Sequence, residues 1–150
     1  KQSRGLGDVY KRQKHIRVFQ SLPNPVNVLT THSAWLMSSL VMGANGLLSG
    51  AGSVIAPLQV RLFNAIKNNN LEEAKDINDK IFPLVQLFYK PPFLDMHNRM
   101  KETLVILNAM QRAVVRPPLM KLPLKEIQEL KKTVNNINLD NKLNFVKKVA

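Results

Sequence analysis

The stretch MGANGLLSGAGSVIAP, from Met42 to Pro57, decides the fold class because it places four glycines around an apolar run. Three kinds of structure produce such a stretch: a loop that binds phosphate, a helix that spans a membrane, or a buried strand that turns into a helix. Each makes a different demand on the residues next to the glycines, so the surrounding sequence can distinguish them.

Phosphate-binding motifs fit this stretch poorly. The segment Gly50–Ile55, GAGSVI, has the first two glycines of a dinucleotide fingerprint. Ile55 stands where glycine or alanine must let the helix approach the strand closely. No acidic residue that could bind a ribose follows at the expected distance, and the Gly-Lys-Ser/Thr ending of a P-loop is missing. We therefore predict no phosphate loop.

A membrane span is the second possibility, because the run from Ser33 to Val60 contains no formally charged residue. Pro57 and the glycines would loosen the backbone at mid-depth, where lipid cannot satisfy the freed polar groups. We expect no transmembrane helix and no membrane partner. The stretch is better explained as a strand end where the backbone comes close to a ligand, followed by the start of a helix.

Two strands with a helix between them are predicted around this stretch. Val26–Thr30 and Leu47–Gly50 are short and apolar, as buried strands are, and Ala34–Met42 supplies residues that favour a helix. A helix between two strands predicts that the strands pair in parallel. Two strands can neither close a barrel nor cover both faces of a sheet, so we expect a part of a larger α/β fold.

Only helices are predicted after the second strand. Pro57 suits the first turn of one helix, and Asn70 with Glu73 resembles a capping box at the start of a long one. Asp95 is expected to cap a further helix, and Leu124–Val134 forms a last amphipathic helix.

The charge and cysteine content restrict the function classes. The net charge is +12. Residues 1–17 carry six basic and one acidic side chain, residues 18–115 eight and six, and residues 116–150 eight and three. A nucleic-acid surface needs basic residues on one folded face, with aromatic residues for stacking. We expect no nucleic-acid partner, although a small basic helical nucleic-acid-binding module stays an alternative. The absence of cysteine excludes disulfides and sulfur-ligated metals and is compatible with a reducing cytosol.

Both ends of the chain are predicted to lie outside the fold. Residues 1–13, KQSRGLGDVYKRQ, show no helical or strand periodicity and are expected to be a non-native leader. Residues 135–150 are rich in asparagine and lysine and are expected to form a polar basic tail.

Three segments in order resemble the dihydrodipicolinate synthase and N-acetylneuraminate lyase family. They are residues 26–57, which include GLLSGAGSVIAP, then LEEAKDINDKIFPLVQLFYKPP at residues 71–92, and VVRPPL at residues 114–119. The family consists of class I lyases that form a Schiff base on a (β/α)8 TIM barrel with a C-terminal helical extension. The resemblance implies that residues 14–67 are the last part of the barrel, with its last two parallel strands. Residues 68–134 are then the helical extension.

The resemblance assigns two positions of the substrate pocket. Thr31 falls where the family often has a glycine at the end of strand seven. Leu48 falls where an aliphatic residue of strand eight presents its backbone carbonyl to the site. The Schiff-base lysine and the proton-relay tyrosine of the family are expected to lie outside this chain. Lys11 and Lys14 lie near the expected position of the lysine in sequence, and the chain has two tyrosines, Tyr10 and Tyr89. No catalytic role is given to any of them.

The function implied is a cytoplasmic, homo-oligomeric lyase, a tetramer by family resemblance, that acts on pyruvate or a related 2-keto acid without a metal or a separate cofactor. The segment Thr30–Ser33 is TTHS where dihydrodipicolinate synthases commonly have SGDD. This departure favours a sugar-acid or other 2-keto-acid lyase, and 4-hydroxy-tetrahydrodipicolinate synthase of lysine biosynthesis is the alternative.

Four further polar residues have a structural and a functional explanation. His32 could contact a substrate, but a histidine at such a position more often caps or borders a helix. Asp95 and His97 could be metal ligands, but nothing completes the ligand set, so helix capping by Asp95 is favoured. Arg116, before two prolines, is expected to tie the extension to the barrel through hydrogen bonds.

Overall fold

The computed structural model of the protein describes residues 16–139. The predicted leader at residues 1–13 lies outside the described residues, as do residues 140–150 of the predicted tail. Residues 135 and 136 of that tail belong to the last helix. The chain therefore continues its helix slightly past the predicted end of the extension.

Two short strands pair in parallel, β1 (Leu29–Thr30) and β2 (Gly46–Leu47). Leu29 lies opposite Gly46, and Thr30 opposite Leu47. The prediction of adjacent parallel strands is confirmed.

Hydrogen bonds continue the pairing beyond the strand residues on both sides. The amide of Asn45 donates to the carbonyl of Val28 at 2.9 Å, and that of Leu48 donates to Thr30 at 2.8 Å. The second strand ends earlier than predicted because the next carbonyls already serve a helix. Ser49 and Gly50 accept from the amides of residues 52 and 53.

The connection between the strands is helical, as predicted. The described part of helix α1 is residues 16–20, which precede β1. After β1, a 3-10 turn (Ser33–Trp35) leads into helix α2 (Leu36–Val41). Gly43 follows with a φ of 101°, a left-handed conformation that glycine adopts without a side-chain penalty. The chain can therefore leave α2 sharply and return to β2.

Helix α3 (Gly52–Lys67) begins five residues before Pro57, earlier than the sequence indicates. Ile55 interrupts it with a non-helical φ of −120° and ψ of 23°. Pro57 is thus the second residue after the interruption, where proline needs no amide hydrogen bond. The glycine-rich stretch is a strand end followed by a helix start, as predicted.

Helix α4 (Leu71–Phe88) starts at a partial capping box. The Asn70 side-chain oxygen accepts from the Glu73 amide at 3.2 Å, and its nitrogen donates to the Glu73 carboxylate at 3.1 Å. In the full motif the carboxylate would accept from the Asn70 backbone amide. That amide instead donates to the carbonyl of Ala65 at 2.8 Å. The predicted side-chain cap on the helix is confirmed.

Two further helices complete the described fold. A 3-10 turn (Phe93–Asp95) leads into α5 (Met96–Ile106), and α6 (Leu124–Asn136) follows a long irregular connection. The core lies mainly between α3 and α4, the pair with the most extensive packing. Its largest fully buried apolar side chains include Leu62 of α3 and Ile81, Leu84 and Phe88 of α4. Burying each such side chain contributes roughly 1.5–3 kcal/mol.

Among the helices of residues 16–139, none combines the length and the apolar character needed to cross a membrane.

Candidate functional site

The chain continues from the carboxyl ends of β1 and β2 into two polar segments, which lie at the same end of the sheet. Thr31 is the first residue after β1, and Ser49 is the second residue after β2. Because the strands are parallel, their carboxyl ends meet on the same side. In parallel α/β folds, ligands bind at the carboxyl ends of the strands.

A buried polar cluster joins these two segments. The side-chain nitrogen of Gln59 donates to the hydroxyl of Ser49 at 3.0 Å and to that of Ser33 at 3.3 Å. The two serine hydroxyls also hydrogen-bond each other. Gln59 is 1% exposed and Ser33 5% exposed. An unpaired amide at such a depth would cost more free energy than the burial of its methylenes gains, so these hydrogen bonds hold the cluster together.

Gly52 explains one of the glycines in the opening stretch. A Cβ atom at this position would lie 3.2 Å from the side-chain oxygen of Gln59. A residue with a side chain would therefore crowd the amide that links Ser33 and Ser49. Glycine thus leaves room for the side chain of Gln59, which explains its position without phosphate binding.

The helical extension reaches this cluster through Tyr89, which follows α4. The phenol of Tyr89 donates to the hydroxyl of Ser33 at 3.5 Å. Its ring stacks on that of His32, with centroids 4.7 Å apart and an interplanar angle of 25°. Tyr89 is predicted to belong to the extension, and no residue pattern indicates this contact with the strand end.

His32 borders a helical turn, as expected, but its side chain does not cap that turn. It is the N-cap residue of the 3-10 turn, and its carbonyl accepts from the amide of Trp35 at 3.0 Å. Its side chain makes no capping hydrogen bond to that turn. The imidazole stacks on Tyr89 instead, so it links the strand end to the extension.

Thr31 and Leu48, the two predicted pocket residues, both lie at the strand ends. Thr31 is exposed, and Leu48 is 69% exposed. A cavity of about 420 Å³ is lined by Leu48 but not by Thr31. Contact of either residue with a substrate stays a prediction.

The cavity runs along the edge of β2 that does not pair with β1. Its lining is mostly apolar and comes from β2 and α3: Gly46, Leu47, Leu48, Ser49, Gly52, Ala56, Gln59, Val60 and Phe63. Ser49 and Gln59 supply its side-chain hydrogen-bonding groups at the strand-end side. The cavity is therefore an apolar groove with one polar end, the arrangement that orients small ligands.

Helix α5 approaches the end of β2 near Gly50. A Cβ atom at Gly50 would lie 3.5 Å from the sulfur of Met100 and 3.6 Å from the Cε1 atom of His97.

Within residues 16–139, no three side chains of the types that ligate metals form a group that could hold a metal ion.

Asp95 occupies the N-cap position of α5 but does not cap it through its side chain. Its carboxylate accepts from the side-chain amide of Asn98 at 3.4 Å. That amide also donates to the carbonyl of Met120 at 2.8 Å. The predicted side-chain cap is therefore wrong, because Asn98 draws the carboxylate away from the helix amides.

Arg99, and not the predicted Arg116, is the arginine that organises the extension. It is 0% exposed, and its Nε atom donates to the carboxylate of Glu126 at 2.5 Å. Its Nη1 atom donates to the carbonyls of Phe88, Lys90 and Pro92 at 3.2, 2.6 and 3.3 Å. Arg116, predicted to tie the extension to the barrel, is exposed.

A signal for Arg99 does exist in the sequence. Prolines 91 and 92 have no amide hydrogens, so the turn around them is rich in carbonyls that need donors. Arg99 lies four residues before the buried Thr103, on the inward face of α5. A charged residue on an inward helical face next to such a turn predicts a buried hydrogen-bonding role.

Sequence comparison places the chain next to a known protein family. The Dihydrodipicolinate synthetase family profile matches residues 4–137 of the chain. No curated protein has a matching sequence.

Solved structures with the same architecture have low sequence identity to the chain. A dihydrodipicolinate synthase from Thermotoga maritima is 18% identical with a TM-score of 0.78, over 89% of this chain and 44% of that one. A prophage protein of the dihydrodipicolinic acid synthase family from E. coli K12, solved in complex with pyruvate, is 20% identical with a TM-score of 0.77, over 88% and 44%. An N-acetylneuraminate lyase from Fusobacterium nucleatum is 20% identical with a TM-score of 0.70, over 87% and 42%.

These likenesses establish the fold. The chain has the architecture of the C-terminal part of a (β/α)8 barrel, with two parallel strands followed by a helical extension. It spans less than half the length of the structures it matches, 42% to 44%.

Proposed function

The chain belongs to the dihydrodipicolinate synthetase family, and from that premise we propose that it forms the C-terminal part of a Schiff-base lyase. The substrate is pyruvate or a related 2-keto acid, and the reaction makes or breaks a carbon–carbon bond or removes water. A lysine from a longer polypeptide forms the imine with the keto carbon and releases water. The whole enzyme is a cytoplasmic homo-oligomer with no metal and no separate cofactor.

The observation that carries this proposal is the polar cluster at the strand ends. Ser33 and Ser49 lie just beyond two adjacent parallel strands, and Gln59 joins them. Barrel enzymes place their reacting groups at this end of the strands. Thr31 and Leu48, at the same strand ends, line the substrate pocket in this proposal. Residues 14–67 contribute the barrel part, and residues 68–134 the extension beside it.

The chemistry of the strand ends favours a hydroxylated substrate. The segment from Ser33 to Val60 has no charged side chain, and the groups at the strand ends are hydroxyls, an amide, a phenol and an imidazole. Such groups hydrogen-bond the hydroxyls of a sugar acid without the charge that a dicarboxylate or an amine would require. We therefore place a sugar-acid lyase first and 4-hydroxy-tetrahydrodipicolinate synthase of lysine biosynthesis second.

The longer polypeptide tests the proposal. In its native sequence, other residues should stand in place of the predicted non-native leader at residues 1–13. They should contain an apolar strand that ends in lysine about two dozen residues before Thr31, the spacing that the family resemblance implies. The purified enzyme should release pyruvate from 2-keto-3-deoxy sugar acids. We expect a kcat/KM at least tenfold higher than for the synthesis of 4-hydroxy-tetrahydrodipicolinate, a difference of about 1.4 kcal/mol. The reverse preference would select the lysine pathway, and inactivity with every 2-keto acid would reject the lyase.

A further inference from the structure

We infer that Tyr89 is a positioning residue for the strand end that carries Thr31. Tyr89 follows α4 of the helical extension, and it acts on the strand end through the imidazole of His32. That Thr31 borders a substrate pocket rests on the proposed function. That Tyr89 holds the strand end rests on contacts within residues 16–139.

The contact between the extension and the strand end is mainly a ring stack. The centroids of the Tyr89 and His32 rings are 4.7 Å apart and their planes differ by 25°, a geometry in which aromatic rings attract each other. The phenol oxygen lies 3.5 Å from the hydroxyl oxygen of Ser33, which is longer than the usual O–H···O hydrogen bond. The stack therefore contributes more to this contact than the phenol hydrogen bond does.

The ring of Tyr89 projects from a backbone that is held on both sides. Phe88, the residue before it, is 0% exposed. The amide of Tyr89 donates to the carbonyl of Val85 at 3.1 Å. Arg99 donates to the carbonyls of Phe88 and Lys90, on either side of Tyr89. A ring anchored in this way can restrain the side chain on which it stacks.

The strand end is attached to its neighbours by hydrogen bonds on either side of Thr31. Thr30 accepts from the amide of Leu48 at 2.8 Å, and His32 accepts from the amide of Trp35 at 3.0 Å. Thr31 lies between these two residues and is exposed. A restraint on the His32 ring therefore acts on the residue next to Thr31. In this way the extension biases the geometry of the barrel part.

The expected effect on the reaction is a shift in population. Without the stack, the strand end spends less time in the arrangement that binds the substrate, and the apparent affinity falls by the same factor. An aromatic pair can bias such an equilibrium by about fivefold, which corresponds to about 1 kcal/mol. Bound substrate restores the arrangement, so the effect is on KM and not on kcat.

Amide hydrogen exchange of the 150-residue chain tests the contact. Tyr89→Leu, which removes the ring, should speed exchange about fivefold at the amides of Trp35 and Leu48, because these donate to the strand end. Exchange at the amide of Leu62, which is buried in α3, should not change. Tyr89→Phe keeps the ring and should behave as wild type. Phe82→Leu is the matched control, because it removes a partly exposed aromatic ring from α4.

Kinetics of the longer polypeptide test the positioning role, with a 2-keto-3-deoxy sugar acid as the substrate. Tyr89→Leu should raise KM about threefold and leave kcat unchanged, because part of the population must be brought into the binding arrangement. A merely structural role would lower kcat at unchanged KM, since less of the enzyme would be folded. Tyr89→Phe should retain the wild-type KM.

Three results would overturn the inference. Equal acceleration of exchange at Trp35, Leu48 and Leu62 would show that Tyr89 stabilises only the fold as a whole. Exchange in Tyr89→Leu equal to that in Phe82→Leu, or a fall in kcat at unchanged KM, would also contradict it. Inactivity of the longer polypeptide would reject the proposed function, while exchange in the 150-residue chain would still decide whether Tyr89 holds the strand end.

Discussion

Arg99 shows how one residue secures the region that carries Tyr89. The last carbonyls of a helix lack partners, and a proline turn adds carbonyls without adding donors. Arg99 donates to the carbonyls of Phe88 and Lys90, on either side of Tyr89. Its planar guanidinium has five donors, so it can serve several carbonyls and Glu126 together. The backbone that presents the phenol to the strand end is therefore held from within the extension.

Replacing Arg99 by methionine should lower the free energy of unfolding by about 3 kcal/mol. The change removes the buried partner of Glu126, whose side chain is only 17% exposed, and leaves the carbonyls without a donor. Urea denaturation measures the loss. Arg61→Met is the control, because Arg61 pairs with Glu73 at the surface and should contribute less than about 1 kcal/mol. Equal losses for the two variants would contradict the structural role of Arg99.

At the scale of elements, the position of the strands could be predicted more closely than their lengths. Apolar composition located both strands, but where β2 ends depends on which carbonyls the next helix uses. The start of α3 was missed because Pro57 is a valid first-turn residue, and the break at Ile55 is a local backbone change that no residue pattern indicates. Helix α4 was predicted correctly because Asn70 and Glu73 are a local signal.

The candidate site could be predicted only in part, for a related reason. Thr31 and Leu48 could be assigned because both lie within residues 26–57, a continuous stretch that resembles the family. The polar cluster was missed because its contacts join residues far apart in sequence. Gln59 and Ser33 are 26 residues apart, and Tyr89 and Ser33 are 56 apart. Serine, glutamine and tyrosine at such separations carry no spacing signal until the helices pack.

Replacing Asn70 by alanine should cost about 1 kcal/mol of stability. Asn70 accepts from the amide of Glu73 and so satisfies one of the unpaired donors at the start of α4. Asn64→Ala, at an exposed position within α3, is the matched control and should be neutral or slightly stabilising. Thermal and urea unfolding of both variants measure the difference. A loss at Asn70 no larger than at Asn64 would show that this cap contributes nothing.

For the whole molecule, the basic charge lies largely toward the two ends of the chain. Deleting residues 1–13 and 135–150 removes four basic and one acidic side chain at one end and three and one at the other. The net charge therefore falls from +12 to +7. Nonspecific binding to DNA should weaken strongly and retain a steep salt dependence, because solvated charge binds through counterion release.

Fluorescence anisotropy with a duplex DNA, at several salt concentrations, measures this change, and circular dichroism reports whether the helices remain. Deletion of the tail shortens α6 by its last residues, so we expect a small loss of helix and no more. Salt-resistant binding that survives both deletions would identify an ordered basic site. The nucleic-acid-binding module would then replace the lyase as the leading function.

Borohydride reduction with pyruvate, followed by intact mass, tests most directly whether this chain carries part of a lyase pocket without its imine-forming lysine. We predict that the 150-residue chain keeps its mass, and that the longer polypeptide gains one reduced pyruvate adduct on a lysine upstream of residue 14. A stoichiometric adduct on Lys11 or Lys14 of the 150-residue chain would contradict the assignment of the leader. A longer polypeptide that gains no adduct would contradict Schiff-base chemistry altogether.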